Sequence, residues 1–219
     1  MSDSPGLVVA VGSASGGCGV TTIALHLCRR IGGCFVEVAR AAGAAERLGL
    51  DRTALRSWDA TGPDRDPVRL AALPMAGGFR AVFAAEEWDA GEVVMQLAGR
   101  FDAVVVDLAA RRPPVPCAVK VVVMPATVTG ARRARDSGQI LGKALLVANR
   151  LGPGGEYTRA ALEVVAGRRI DVALPCCPAL RDAEDDGRLV GTHTRWHRRL
   201  DELAGRILQV ASAEPAAIA

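Results

Sequence analysis

Apolar residues fall along this chain in two alternating rhythms. Short Val-rich runs occur at "GLVVAVG" (6–12), "CFVEVA" (34–39), "FRAVFAA" (79–85), "FDAVVVDLA" (101–109), "VKVVVMPA" (119–126), "KALLVANR" (143–150) and "IDVALP" (170–175). Continuous apolar runs of this length mark strands buried on both faces, as in a parallel sheet. Between them, "TTIALHLCRRI", "GEVVMQLAGR", "GARRARDSGQIL", "YTRAALEVVAG" and "RRLDELAGRILQV" place apolar residues at helical spacing. The alternation predicts one α/β domain, a doubly wound, mostly parallel sheet with helices on both faces.

The rhythm breaks from about 51 to 78, where Asp, Pro, Gly and Arg dominate and "DATGPDRDP" (59–67) predicts a surface loop. The expected organisation is a single domain over 1–211 and a flexible C-terminal tail over 212–219.

Composition narrows this picture. The chain has 219 residues, 50% hydrophobic and 23% charged, enough for one sizeable core. Aromatic residues are only 4%, which suits close-packed helix-on-sheet layers better than a β-sandwich. A net charge of +3 is too small to imply a nucleic-acid surface. Lys120 and Lys143 are the only lysines; arginines such as Arg29, Arg47 and Arg168 read as scattered, and Arg132-Arg133 and Arg198-Arg199 as solvated helix faces. Six cysteines (Cys18, Cys28, Cys34, Cys117, Cys176, Cys177) lack C-x-x-C spacing and lie mostly in apolar segments, so buried free thiols are expected. No secretory signal follows Met1 and no apolar run reaches the roughly 18 residues of a membrane span, so a cytoplasmic protein is expected.

The candidate chemistry lies between the first strand and the first helix. "SGGCGVTT" (15–22) has the glycines of a phosphate-binding turn at the place where a strand becomes a helix. In such loops backbone N–H groups wrap the phosphates, a lysine reaches the β and γ oxygens, and Ser or Thr binds magnesium. Gly16, Gly17 and Gly19 supply the backbone freedom, Thr21 stands at the magnesium position, and Thr22 can cap the helix or approach the α-phosphate. At the lysine position stands Val20. His193 and His197 have i, i+4 spacing but lack a nearby third ligand, so they read as exposed polar residues, with Trp196 docking the C-terminal helix.

"SGGCGVTT" followed by "IALHLC" resembles the deviant Walker A motif of the MinD/ParA family, written K-G-G-x-G-K-[ST]-T. In that family a signature lysine opens the motif and reaches across a dimer interface to the partner's nucleotide; here Ser15 stands in its place and Val20 replaces the second lysine. "CFVEVARA" resembles the strand that carries the family's D-x-D, with Glu37 on the first acid and Ala39 on the second, which is linked to hydrolysis. "FDAVVVDLAA" resembles the Walker B strand, with Asp102 at its start and Asp107 as the magnesium-facing acid. "LLVANR" resembles the strand whose Asn-Arg end touches adenine, here Asn149 and Arg150. "VALPCCPALRDAEDDGRLV" is similar to the family's following loop and helix, with Cys176 and Cys177 where a polar residue is common. Among branches of the family, the TadZ/CpaE proteins of pilus assembly and related septum-site proteins often read "GGVGATT" and so look most similar.

The resemblance implies a site for ATP or ADP lined by Ser15, Gly16, Gly17, Cys18, Gly19, Val20, Thr21, Thr22, Asn149 and Arg150, with magnesium on Thr21 and Asp107 if a nucleotide binds; an empty site is the equal alternative. It assigns no catalytic residue, because Ser15, Val20 and Ala39 all depart from the acting residues. One lost cation is worth about 4 kcal/mol of attraction at 4 Å and an effective dielectric of about 20, before desolvation. The reading is therefore a pseudo-ATPase serving as a localisation, assembly or docking factor for a pilus or secretion apparatus or for septum placement. The alternative is a slow positioning or partition ATPase that dimerises on ATP. Protein partners or a homodimer are expected, with recruitment to a membrane or pole only through a partner, and neither nucleic acid nor direct membrane insertion. "RRLDELAGRILQV" is amphipathic, but Asp201 and Glu202 dilute its charge and its apolar residues suit core packing.

Overall fold

Each of the seven Val-rich runs forms a strand in the computed structural model, which describes residues 5–38, 43–50, 75, 78–84, 90–108, 115–138, 143–152, 157–189 and 194–213. The strands are β1 (Leu7–Ser13), β2 (Cys34–Val38), β3 (Arg80–Ala84), β4 (Ala103–Asp107), β5 (Val119–Pro125), β6 (Leu145–Leu151) and β7 (Val172–Pro175). They make one sheet in the order β3-β2-β4-β1-β5-β6-β7. Every pairing is parallel, so the expectation of a mostly parallel sheet sharpens to a wholly parallel one.

Helices cover both faces, as the alternation predicts. They are α1 (Val20–Ile31), α2 (Gly43–Arg47), α3 (Ala90–Ala98), α4 (Val128–Asp136), α5 (Arg159–Ala166), α6 (Pro178–Asp185) and α7 (Arg195–Ala213). Side chains alternate along a strand, so each run feeds two cores. Val9, Val11, Phe35, Val105 and Val147 pack with Ile23 and Leu27 of α1 and Leu200 and Leu203 of α7. Val8, Val36, Val104 and Val106 pack with Val94 and Leu97 of α3 on the other face. Val122, Met124 and Leu146 pack there with Ala131 of α4 and Leu162 of α5. Full burial of one such side chain stabilises by roughly 1.5–3 kcal/mol, which is why the Val-rich runs decide the architecture.

The same alternation positions the site. Val11, Phe35, Val105 and Val147 face α1, so the residues two places on, Ser13, Glu37, Asp107 and Asn149, face the same side at the C-terminal ends of their strands. That edge is where doubly wound sheets bind ligands.

Three expectations need correction. His197 is not an exposed polar residue: it is 5% exposed, its Nδ1 lies 2.8 Å from Thr194 Oγ1, and its Nε2 lies 3.3 Å from Nδ1 of the equally buried His26. The cause is Trp196, which is 1% exposed and carries its neighbour inward as it docks α7 against α1, with ring centroids 5.2 Å from His26 and 5.1 Å from His197. The cysteines divide: Cys18, Cys28 and Cys34 are buried free thiols, but Cys176 is exposed, and Cys117 and Cys177 are half-buried. The last helix also runs through Ala213, past the predicted start of the tail. His193, Ala39, the 59–67 loop and residues 214–219 lie outside the described residues. Among the described residues no helix is long and apolar enough to cross a membrane.

Candidate functional site

The glycine-rich turn leaves the C-terminal end of β1 and enters α1 through two left-handed residues, Gly17 (φ +71°) and Gly19 (φ +87°). Only glycine adopts this geometry without strain. At Gly19 space adds a second reason, because a Cβ would stand 2.6 Å from Asn149 Nδ2. Beneath the turn the Cys18 thiol donates to Ser13 Oγ at 2.9 Å. Ser13 Oγ in turn donates to the Ser15 carbonyl at 2.7 Å and accepts from the Ser15 N–H at 3.0 Å. Burial raises the Cys18 thiol above its ordinary range, against the opposing bonds from Ser13 and backbone N–H groups, so it remains a neutral thiol. From β6, Asn149 Nδ2 donates to the Cys18 carbonyl at 2.8 Å, bracing the loop against the sheet. Arg150 follows in a left-handed conformation (φ +65°), its N–H donating to Asn149 Oδ1 at 2.9 Å.

A cleft of about 290 Å³ opens beside the turn. It is lined by Ser13, the whole stretch from Ser15 to Thr21, Glu37, Gly43, Arg47, Asp107 and Leu108. The β2–β4 register sets Glu37 opposite Asp107, so two acids share the floor, each 5% exposed. Thr21 and Asp107 line the same cleft, which brings together the hydroxyl and the acid of the expected magnesium pair. Burial pushes the Glu37 carboxyl up to about 8. The Ala44 N–H, 3.1 and 3.2 Å from its two oxygens, pulls it back, and Asp107 adds to the rise. Burial also raises Asp107, opposed by the Thr21 hydroxyl and the Arg47 charge.

Arg47 corrects the reading of the arginines as scattered. It ends α2, lines the cleft, and donates from Nη1 to the Gly43 carbonyl at 2.8 Å. Its Nε stands 3.2 Å from Glu184 Oε2 on α6. Glu184 Oε1 also accepts the hydroxyl of Thr22, so Thr22 is turned to α6. The only sequence signal for Arg47 is its nearness to Glu37 along the chain; its arrival in the cleft depends on α2, a helix of five residues, too short to show periodicity.

The predicted residues thus converge on one edge, with different present partners. Val20, the first residue of α1, packs against the core while still edging the cleft. Asn149 is buried and engaged with the loop, and Arg150 is exposed with its charge near Cys18. Asp102 is exposed at the opposite end of β4 from Asp107.

The residues fit a phosphate group and a magnesium ion. Gly16 has no atom within 4 Å of where a Cβ would stand and needs no left-handed φ, so the protein's own packing does not call for glycine there, whereas close approach of a ligand would. Thr21 and Asp107 form a two-ligand site of the kind that suits magnesium, which keeps several waters. Among the described residues no group of three or more His, Cys, Asp or Glu side chains is placed to hold a metal ion. What the cleft lacks is a lysine at either motif position, Ser15 or Val20.

No family model matches the chain, and no curated protein sequence does. Solved structures do. The wholly parallel sheet with a glycine turn ahead of its first helix is a P-loop-type fold, shared with solved structures of the MinD and ParA type. A chain of the MinC:MinD cell division protein complex of Aquifex aeolicus superposes with a TM-score of 0.73 over 97% of this chain and 98% of that one, at 16% identity. The Pyrococcus furiosus cell division ATPase MinD gives 0.69 over 94% and 100%, at 18% identity. A ParA family ATPase from Chlorobium tepidum gives 0.64 over 90% and 98%, at 15% identity. At identities this low the superpositions show a shared fold alone.

Proposed function

We propose that this chain is a hydrolytically silent MinD/ParA-like protein that serves as a docking and localisation factor, in the manner of the TadZ/CpaE proteins of pilus assembly and septum placement. One observation carries the reading. The cradle and the Thr21–Asp107 pair are intact, while Val20, at the lysine position, lies against the core. Loop N–H groups would hold a phosphate, and Thr21 and Asp107 a magnesium ion that neutralises part of its charge. Phosphoryl transfer needs further cations at the γ-phosphate. Neither Ser15 nor Val20 provides one, and Arg47, the cation among the described residues lining the cleft, is paired with Glu184. That a chain of similar fold, MinD, is found in complex with MinC supports a protein partner for this chain.

The test is steady-state phosphate release from ATP with magnesium, alongside a fluorescent fusion in the organism of origin. No turnover above background is expected, and the fusion should keep its position when Asp107 is changed to Asn. Magnesium-dependent turnover that falls in Asp107→Asn would instead establish the slow ATPase.

A further inference from the structure

Among the described residues lining the cleft, Arg47 is the cationic one. We propose that Arg47 supplies within the same chain the phosphate-reading cation that Ser15 and Val20 do not, so that the cleft takes a diphosphate group, with Glu184 holding the arginine in reserve. The inference rests on reading the cleft as a phosphate cradle.

Three links place the guanidinium. Nη1 is tied to the Gly43 carbonyl at 2.8 Å, and a Cβ on Gly43 would stand 3.2 Å from Nη1 and 3.7 Å from Glu37 Oε1, so the guanidinium and that acid border the same glycine. Nε is drawn to Glu184 by charge at 3.2 Å, yet it is buried and finds no aligned acceptor. The turns that follow α2 and α6 meet backbone to backbone, where a Cβ on Gly49 would stand 2.9 Å from the Gly187 carbonyl oxygen, so α2 is clamped to α6.

This is a resting arrangement with a donor left over. A planar guanidinium binds phosphate oxygens as a two-pronged fork, better than it binds a carboxylate met off-axis. Glu184 takes both the Thr22 hydroxyl and the Arg47 charge, so one carboxylate holds the two groups that an incoming phosphate would claim. One arginine with the loop N–H groups matches a diphosphate, whereas the cations that a γ-phosphate recruits at Ser15 and Val20 are absent.

Calorimetric titration of the full chain with ADP and with pyrophosphate, each with magnesium and with EDTA, tests this. Arg47→Met should weaken binding by about tenfold or more, as loss of a charge-assisted hydrogen bond does, and Arg47→Lys should recover part of it. Glu184→Gln keeps an acceptor for Thr22 and should tighten binding by about two- to fivefold. Circular dichroism and melting of the ligand-free variants establish that each is folded. Equal affinity in wild type and folded Arg47→Met, or no tightening in Glu184→Gln, overturns the role of Arg47. Absence of wild-type binding at millimolar ligand overturns the inference and leaves the docking reading standing, whereas ATP turnover overturns the docking reading and leaves this one to the binding data. Binding of ADP alone, lost in Arg47→Met, supports the proposal and adds recognition of the nucleoside; binding of both ligands, lost likewise, supports it with the diphosphate as the whole determinant.

Discussion

At its first turn α1 places Thr21 in the cleft that Asp107 and Glu37 also line; about one and a half turns later the same helix sets His26 against Trp196 and His197. Burial acts on both clusters, pushing Glu37 up to about 8 and His26 down to about 3, so both side chains are neutral near pH 7. The surroundings differ. In the cleft Glu37 and Asp107 have protein partners and border open space, whereas at the junction His26 Nε2 is buried with no hydrogen-bond partner and three rings pack edge to face. Polar groups that border a cavity are available for exchange with a ligand, while those at the junction are part of the core and fix where α7 sits.

The strongest way to break this contrast is Trp196→Ala. Removing the ring should cost about 3–5 kcal/mol in denaturant unfolding, and a loss near zero would show that the junction is not core. Gly19→Ala comes next and probes the cleft. At φ +87°, with Asn149 Nδ2 2.6 Å from the new methyl, it should cost about 1–3 kcal/mol by the same measurement. A gain in stability would mean that the loop is not held in that geometry.

Unfolding followed against pH separates the clusters by sign. A carboxyl raised from 4.5 to about 8 binds its proton more tightly in the folded state. Its destabilisation is absent below about 4.5 and grows as pH rises to about 8, by at most about 1.4 kcal/mol per unit. His26, lowered from 6.5 to about 3, behaves oppositely: stability is full above 6.5 and is lost as pH falls toward 3. Glu37→Gln should therefore flatten the alkaline side of the profile and His26→Leu the acidic side. If either variant flattened the other's limb, the assignment of the two clusters would fail. The smallest effect belongs to the solvent-exposed pair between Arg30 and Asp201, 2.7 Å apart across α1 and α7. Arg30→Gln should cost less than about 1 kcal/mol, because water screens such pairs and α7 is held by Trp196 beneath.

Much of this was legible in the chain. The seven valine runs announced the strands because burial on both faces leaves no polar alternation, and the glycine turn announced the cradle because left-handed backbone needs glycine. Arg47 was not legible, since a five-residue helix carries no periodicity and nothing local says which way it turns. His26 was hidden for the opposite reason: it sits within a clear helical pattern whose partner, His197, is 171 residues away. His197 looked exposed beside Arg195, Arg198 and Arg199, and only the docking of Trp196 reveals that its face turns inward.

By itself the sequence determined the elements, the acids that end β2 and β4, and the absence of lysine at Ser15 and Val20, because helix and strand periods and local backbone demands are written in adjacent residues. The tertiary structure decided that β4 lies between β2 and β1, which sets Asp107 beside Glu37 within reach of Thr21. It also decided that α2 meets α6, which brings Arg47 to the cleft and ties Thr22 to Glu184, 162 positions along the chain. These contacts depend on how sheet order and helix docking bury the chain as a whole, and no local pattern carries that information.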